Sequence, residues 1–234
     1  LREIHIQTVA TGAFSKKVAM LLFGVRSPIA VDYEIAAERC GRPFRMGISL
    51  GGHPRTMSAL QIVTIGNLDG VERTVALPCA FGPDRREELA RIAQAAGFPL
   101  AESLIDPTAI LPPGLRMGPG GFVNAGVVIG GGCMFGDGVL VNRSASVGHH
   151  TVLEDWVSVG PGAILSGNVR VGRNAMIGAG AVLQSDIRVG QNVRIAAGTV
   201  VRKSVPDGSL VSGNPGKVRP LRAVPSTLRR EGDE

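Results

Sequence analysis

The sequence predicts a small α/β unit followed by a long stack of short parallel strands, and three observations carry that prediction. Every sixth residue from Met117 to Val201 is apolar, fifteen in succession, with no slip of phase. Glycine is unevenly spread, with 10 of the 33 in residues 1–110 and 23 in residues 111–234. Only 4% of residues are aromatic in a chain that is 44% hydrophobic, so its interior must be built in thin layers of small and β-branched aliphatics. That hydrophobic fraction excludes disorder, and no strict three-residue glycine period runs through the chain, which excludes a collagen-like helix. A chain of 234 residues has room for one or two domains with sizeable cores.

In chain order, residues 3–9 alternate as a strand does, and Ser15 is placed to cap a helix running to Phe23. Residues 28–31 read as a second strand that ends at Asp32, and residues 75–77 as a third. Residues 83–96 form a clear helix: Leu89, Ile92, Ala93 and Ala96 fall at i, i+3, i+4 and i+7, and Gly97 stops it. Strands alternating with helices imply a small parallel α/β domain over residues 1–104. From there the period of six takes over, and it fits neither a helix of 3.6 residues per turn nor simple alternation. It fits a short strand that turns two residues inward, the apolar one and the small or β-branched one two before it, such as Val127, Cys133, Ala145 and Thr151. The residue after each apolar position is often glycine (Gly118, Gly130, Gly136, Gly148, Gly160, Gly172), expected to supply a positive φ for the turn. Asn124 and Asn142 take that place where glycine is missing. Such units cannot bury an apolar face alone and must stack. The stacked domain spans residues 105–222, and a polar tail covers 223–234.

The formal charge of +6 is concentrated in the second half. Residues 1–110 carry 12 Lys/Arg against 11 Asp/Glu, a net of +1, and residues 111–234 carry 13 against 8, a net of +5. A basic cluster at Arg202, Lys203, Lys217, Arg219 and Arg222 suits a phosphorylated small ligand or a solvated tail. No aromatic platforms interleave with it, so nucleic acid is not an expected partner. Cys40, Cys79 and Cys133 have no metal-ligand spacing and an odd count, and read as reduced thiols of a cytoplasmic protein. The apolar run 18–25 after Lys16 and Lys17 is too short and too internal for a signal sequence, and no stretch could span a bilayer.

Four histidines are present, His5, His53, His149 and His150. His149 falls outside both inward slots of the repeat and should project from the surface. His5 and His53 have no comparable setting. Three converging imidazoles, as a metal site would need, are not supplied, so no metal is expected.

The six-residue pattern resembles the hexapeptide-repeat acyltransferases, which wind a left-handed parallel β-helix of triangular section with three units per coil. By that resemblance residues 117–201 make about five coils. The combination with an α/β domain, with Gly47-Ile48-Ser49-Leu50-Gly51 and with Asp106-Pro107-Thr108-Ala109 just before the coil is similar to the bacterial sugar O- and N-acetyltransferases of the sialic-acid and bacillosamine type. The first domain is then Rossmann-like and binds the nucleotide of a nucleotide-linked amino sugar. The family's glycine-rich loop corresponds to residues 10–15, where Gly12 is the one glycine kept, and Asp32 would hold ribose or base.

Asn142-Arg143-Ser144-Ala145-Ser146-Val147-Gly148-His149-His150-Thr151-Val152 resembles the family motif Asn-x-x-Ala-x-Val-x-His-Asp/Glu-x-Val. The match gives His149 the role of general base, for which an imidazole suits neutral pH. His150 stands where the family has an acidic residue that orients the base, and a neutral imidazole should orient it less strongly. Asn142 corresponds to an asparagine near the acceptor. Gly160-Pro161-Gly162-Ala163-Ile164-Leu165-Ser166-Gly167-Asn168-Val169 resembles Pro-Gly-x-x-Leu-x-Gly-Asn-Val, in which the amide of Gly167 would meet the thioester carbonyl. Ala179, Gly180 and Ala197 would line a pantetheine groove, with Lys203, Lys217 and Arg219 pairing with phosphates. The resemblance thus implies an acetyl-CoA-dependent, homotrimeric N-acetyltransferase working by direct attack in a ternary complex, since no candidate cysteine nucleophile neighbours His149 in sequence. O-acetylation of a sialic-acid-like sugar and a non-catalytic scaffold are the alternatives.

Overall fold

The computed structural model describes residues 7–8, 19–57 and 59–221 of the chain. Gln7–Thr8 (β1) lies within the strand expected over residues 3–9 and pairs antiparallel with Arg116–Met117. Gly12, Ser15 and His5 lie outside the described residues.

The first unit is a four-stranded parallel sheet of Met20–Phe23 (β2), Phe44–Ser49 (β3), Ile62–Thr64 (β4) and Val75–Pro78 (β5), in the order β4-β3-β2-β5. All four residues of β2 are buried, as befits a central parallel strand covered on both faces. Met20 and Leu22 pack with helix α1 (Ala30–Arg39), and Leu21 and Phe23 pack with helix α2 (Pro83–Ala95) on the other side. Helix α2 and strand β5 match the sequence reading, with Gly97 at φ +86° ending the helix region. Two elements correct it. Residues 20–23 are a strand, not the end of a helix, because four large apolar side chains in a row need cover on two faces. Residues 28–31 lead into helix α1 instead of forming a strand, and Asp32 sits in that helix's first turn, where a carboxylate complements the helix dipole. The loop between the sheet's first parallel strand and its helix is therefore Gly24-Val25-Arg26-Ser27-Pro28-Ile29, not residues 10–15.

The second unit is a left-handed parallel β-helix. Leu104–Ile105 (β6) pairs with Phe122–Val123 (β8), and from Arg116–Met117 (β7) to Val200–Val201 (β21) a two-residue strand recurs every six residues. These fifteen strands stack into three faces of five, giving five coils, each residue lying over the one 18 positions on. Ser209–Ser212 (β22) and Lys217–Pro220 (β23) close the coil as a hairpin. Both predicted inward slots are buried throughout, the second of them by Val127, Cys133, Val139, Ala145, Thr151 and their successors.

The glycines do two different jobs at two different positions, where the sequence pattern predicts one. Positive φ recurs every six residues from Gly114 to Gly198, three residues after each inward apolar position, at Gly120, Gly126, Gly132, Gly138, Ser144, His150, Trp156, Gly162, Asn168 and onward. The glycines directly after the apolar positions have no positive φ. A Cβ there would strike the next coil's backbone: at Gly160 it would lie 2.6 Å from the Ala179 nitrogen, and at Gly148 2.5 Å from the Ser166 carbonyl carbon. Asn124 and Asn142 likewise have ordinary φ and are not left-handed turn residues.

Several side chains fasten the two units together. Arg86 of α2 is fully buried and donates from all three nitrogens to five carbonyls, those of Ala80 (2.7 Å) and Phe81 (3.0 Å) in its own unit and Gly138 (2.7 Å), Trp156 (3.2 Å) and Val157 (3.1 Å) in the coil. Burial pulls its guanidinium down to about 10, which leaves it charged at neutral pH. Tyr33 stacks on Phe122 of the coil with ring centroids 4.0 Å apart. At the coil entrance the Asp106 carboxylate accepts the Thr108 amide (2.9 Å) and hydroxyl (2.6 Å) and pairs with Arg39 (3.0 Å). Burial acts to raise its pKa, but the Thr108 and Arg39 bonds together outweigh burial and hold the group below the usual carboxylate value.

Two outcomes follow for stability. Gly162, at φ +65° with open space around its Cβ position, should tolerate alanine at about 1–2 kcal/mol. Gly160→Ala should cost more, about 3 kcal/mol or above, because backbone cannot yield as a side chain does. Denaturant midpoints showing the reverse order would contradict this division of labour. For Asp106, a lowered native pKa means stabilisation that is complete above the ordinary aspartate value of about 3.9 and lost as pH falls through the native one. The stability gap between the wild type and Asp106→Asn should therefore be widest near neutrality and close in acid, which urea titrations at several pH values can read.

Candidate functional site

His149 and His150 occupy the turn after Ser146–Val147 (β12), on the edge between the face that holds β12 and the face that holds Val152–Leu153 (β13). Both are exposed, as the phase of the repeat predicts for His149. His150 takes the left-handed position at φ +57°, which histidine tolerates better than most side chains. The imidazoles meet edge to face, with Nδ1 to Nδ1 at 3.0 Å. One coil on, Gly167 stands beneath the His149 ring: a Cβ on Gly167 would lie 2.6 Å from both Cε1 and Nε2 of His149. The Gly167 N–H donates to no other described group. The fold thus joins His149, His150 and Gly167 in one place, a basic nitrogen beside a bare backbone shelf. No carboxylate among the described residues pairs with either imidazole.

The remaining positions are distributed along the prism. Lys203 follows β21 on the same edge as His149, while Ala179, Gly180 and Ala197 are exposed on the opposite edge of the face that holds β12 and β21. Between those edges runs a face built from Val128–Ile129, Ser146–Val147, Ile164–Leu165, Val182–Leu183 and Val200–Val201, on which Val128 and Ile164, with Ile110 beside Val128, are exposed large hydrophobics. Lys217 and Arg219 lie exposed on β23 at the end of the coil.

Asp32 and Asn142 depart from their expected settings. Asp32 faces the coil, accepting from Asn124 Nδ2 (3.0 Å) and pairing with Arg143 (2.7 Å), so it is not at the end of a strand where ribose would lie. Asn142 is buried, its Oδ1 accepting from Asn124 Nδ2 (2.8 Å) and from the Arg143 amide (2.8 Å). The side chain at the end of β3, where a ribose-binding acid would stand, is Ser49, which caps the Gly51 amide.

Cys133 lies beneath Gly148, a proximity with no signal in the sequence. Its thiol points into the coil and donates to the Gly148 carbonyl at 3.2 Å, and burial raises its pKa. It is placed as a core side chain and not as a nucleophile. His53 is exposed in the loop after β3. Among the described residues no group of three or more His, Cys, Asp or Glu could hold a metal ion, and no helix is long and apolar enough to cross a membrane.

A second feature emerges only in three dimensions. A cleft of about 300 Å³ opens at the carboxyl ends of β2 and β5, where the connections leave the sheet in opposite directions. Gly24, Arg26, Ser27, Pro28 and Arg85 line it, beside the amino end of α2. Open parallel sheets bind ligands at such points, and two guanidiniums there suit phosphate.

The bacterial transferase hexapeptide (six repeats) family matches residues 168–203. No curated protein sequence matches the chain. Among solved structures, the acetyltransferase domain of PglB from Neisseria gonorrhoeae, determined with acetyl coenzyme A, is 29% identical at a TM-score of 0.77, over 86% of this chain and 98% of that one. A mutant perosamine N-acetyltransferase from Caulobacter crescentus, in complex with CoA and GDP-perosamine, is 26% identical at a TM-score of 0.77, over 86% and 96%. WeeI from Acinetobacter baumannii shares the fold at 20% identity and a TM-score of 0.72, over 86% and 99%.

Proposed function

We propose that this chain, a hexapeptide-repeat acyltransferase in sequence and in build, moves the acetyl group of acetyl-CoA onto the amine of a nucleotide-linked amino sugar. The observation that carries the reading is the set of His149 Nε2 over the bare Gly167 backbone, on an exposed edge. A thioester carbonyl set against the Gly167 N–H would gain a donor for the charge that develops on its oxygen. The amine attacks the carbonyl carbon as His149 Nε2 takes its proton, and the thiolate leaves. Cys133, turned inward, offers no acyl-enzyme route. The Caulobacter relative, seen with CoA and GDP-perosamine, supports the choice of a nucleotide-linked amino sugar. The cleft bearing Arg26 and Arg85 is the proposed place for the nucleotide's phosphates, and Asp32, paired with Arg143 against the coil, is not part of it.

The homotrimer belongs to the same proposal. The His149 edge and the Ala179–Gly180–Ala197 edge border one partly apolar face from opposite sides. Packing that face against a second copy would bring one copy's His149 to the other's Ala179 edge and cover Ile110, Val128 and Ile164. Three copies close the ring. Light scattering should give three times the 24.3 kDa chain mass, and a monomer at micromolar concentration would contradict it.

The direct test is thiol release from acetyl-CoA against a panel of uridine-, thymidine- and guanosine-linked amino sugars. Release with at least one of these, and none with a free sialic acid, is the expected result; the opposite selectivity would assign O-acetylation. Absence of CoA binding by calorimetry would favour a scaffold. His149→Ala should keep oligomer and CoA affinity while lowering kcat about 10²–10⁴-fold. Normal turnover by that variant would remove His149 from the chemistry.

A further inference from the structure

The two imidazoles are arranged as a conduit, not only as a base with a neighbour. Their Nδ1 atoms face each other at 3.0 Å, so one nitrogen must donate a hydrogen and the other accept it. The two Nε2 atoms point to opposite neighbouring coils. His149 Nε2 lies over Gly167 in the next coil, and His150 Nε2 lies by Gly132 in the preceding one, 3.1 Å from where a Cβ on Gly132 would be. Both rings are exposed, and no carboxylate among the described residues pairs with either of them. A carboxylate partner would hold an imidazolium in place by its charge. An imidazole partner has no charge to hold it with, but it has a second nitrogen through which a proton can leave.

We infer that His149 and His150 form a proton relay that takes the acceptor's proton at His149 Nε2 and delivers it to water from His150 Nε2. The inference rests on the acetyl-transfer reading of the same site. In the resting state His149 carries its hydrogen on Nδ1 and His150 on Nε2. As the carbon–nitrogen bond forms and the carbon–sulfur bond breaks, the amine's proton passes to His149 Nε2. The Nδ1 hydrogen of His149 crosses to His150 Nδ1, and His150 gives its Nε2 hydrogen to solvent on the side away from Gly167. The departing thiolate takes one proton from water, so one proton leaves and one returns per turnover. Once product has gone, His149 Nε2 loses its proton to water, His150 Nε2 regains one and the shared hydrogen slides back. The left-handed turn at His150, φ +57°, is what swings this ring away from the shelf and toward the preceding coil.

His150→Asn separates conduction from orientation. Asparagine already occupies the equivalent left-handed position at Asn168, Asn174 and Asn192, so the turn is preserved. Its side-chain oxygen can accept the His149 Nδ1 hydrogen but cannot pass a proton on. The variant should release CoA about a hundredfold more slowly, with the KM values of both substrates unchanged. Added imidazole buffer should restore part of that rate, while the wild type should be indifferent to buffer. A variant as fast as the wild type, or one slowed with no response to buffer, would overturn the relay and leave His150 a positioning residue at most. Nitrogen-15 spectra of the histidine rings judge the relay without turnover. They should show His149 protonated at Nδ1 and His150 at Nε2, and the opposite pair of tautomers would overturn it. A wild type that acetylates no amino-sugar nucleotide would strike the underlying reading, and the spectra would still decide the relay's starting state.

Discussion

Successive coils of the second unit are stacked at the spacing of paired strands, about 4.8 Å, and that close approach governs the rest of the molecule. It demands an interior of two small or branched aliphatic side chains per strand, because a thin prism has no room for more. It also demands glycine where one turn rides over the next, as at Gly148 over Ser166 and Gly160 over Ala179. The same approach places His149 over Gly167. A residue on the outside of one coil is held against the backbone of the next by hydrogen bonds that cannot lengthen independently, among them Asn168 N–H to the His149 carbonyl at 2.7 Å. A site assembled in this way needs no loop to be ordered before it can work.

The first unit is tied to that scaffold from two sides. Tyr33 and the small face of α1 press on Phe122 and Leu140, while Arg86 reaches from α2 to three coil carbonyls. A fully buried guanidinium satisfied only by carbonyls offsets its desolvation through five hydrogen bonds, and deleting it would leave the Ala80, Gly138 and Trp156 carbonyls without a donor, while those of Phe81 and Val157 keep the Ser158 hydroxyl and the Leu140 amide. Since Arg86 also binds the Ala80 and Phe81 carbonyls that border the cleft, the proposed nucleotide site and the coil share a rigid element. Rigid coupling of that kind suits an enzyme that must hold a long acceptor at one end and react it at the other.

The coil was legible in the sequence because its constraint repeats. Fifteen apolar residues in phase leave no other period, and the same phase put His149 outside the core. The left-handed positions were not legible from glycine alone, since Ser144, His150, Trp156 and Asn168 fill the slot as readily as Gly162 does. The glycines directly after the apolar positions followed instead the steric contact between coils, which no local pattern reveals. The first unit was harder to read for a related reason. Its central strand, Met20 to Phe23, is buried on both faces and so shows no alternation, and Asp32 has the spacing of a ribose ligand only if residues 28–31 form a strand, whereas they lead into α1. Arg86 gave no signal, because an arginine on an amphipathic helix ordinarily faces water. Cys133 and Gly148 are 15 residues apart and meet only after the coil closes.

The central claim is that acetyl passes straight from CoA to the acceptor on the His149–Gly167 shelf, and a single-turnover experiment tests it most directly. Protein in excess is mixed with acetyl-CoA, and free thiol is followed before and after addition of the amino-sugar nucleotide. Direct transfer predicts no thiol until the acceptor arrives, then one equivalent in step with the acetylated sugar. A stoichiometric burst of thiol before any acceptor is present would mean an acyl-enzyme, and would contradict the account.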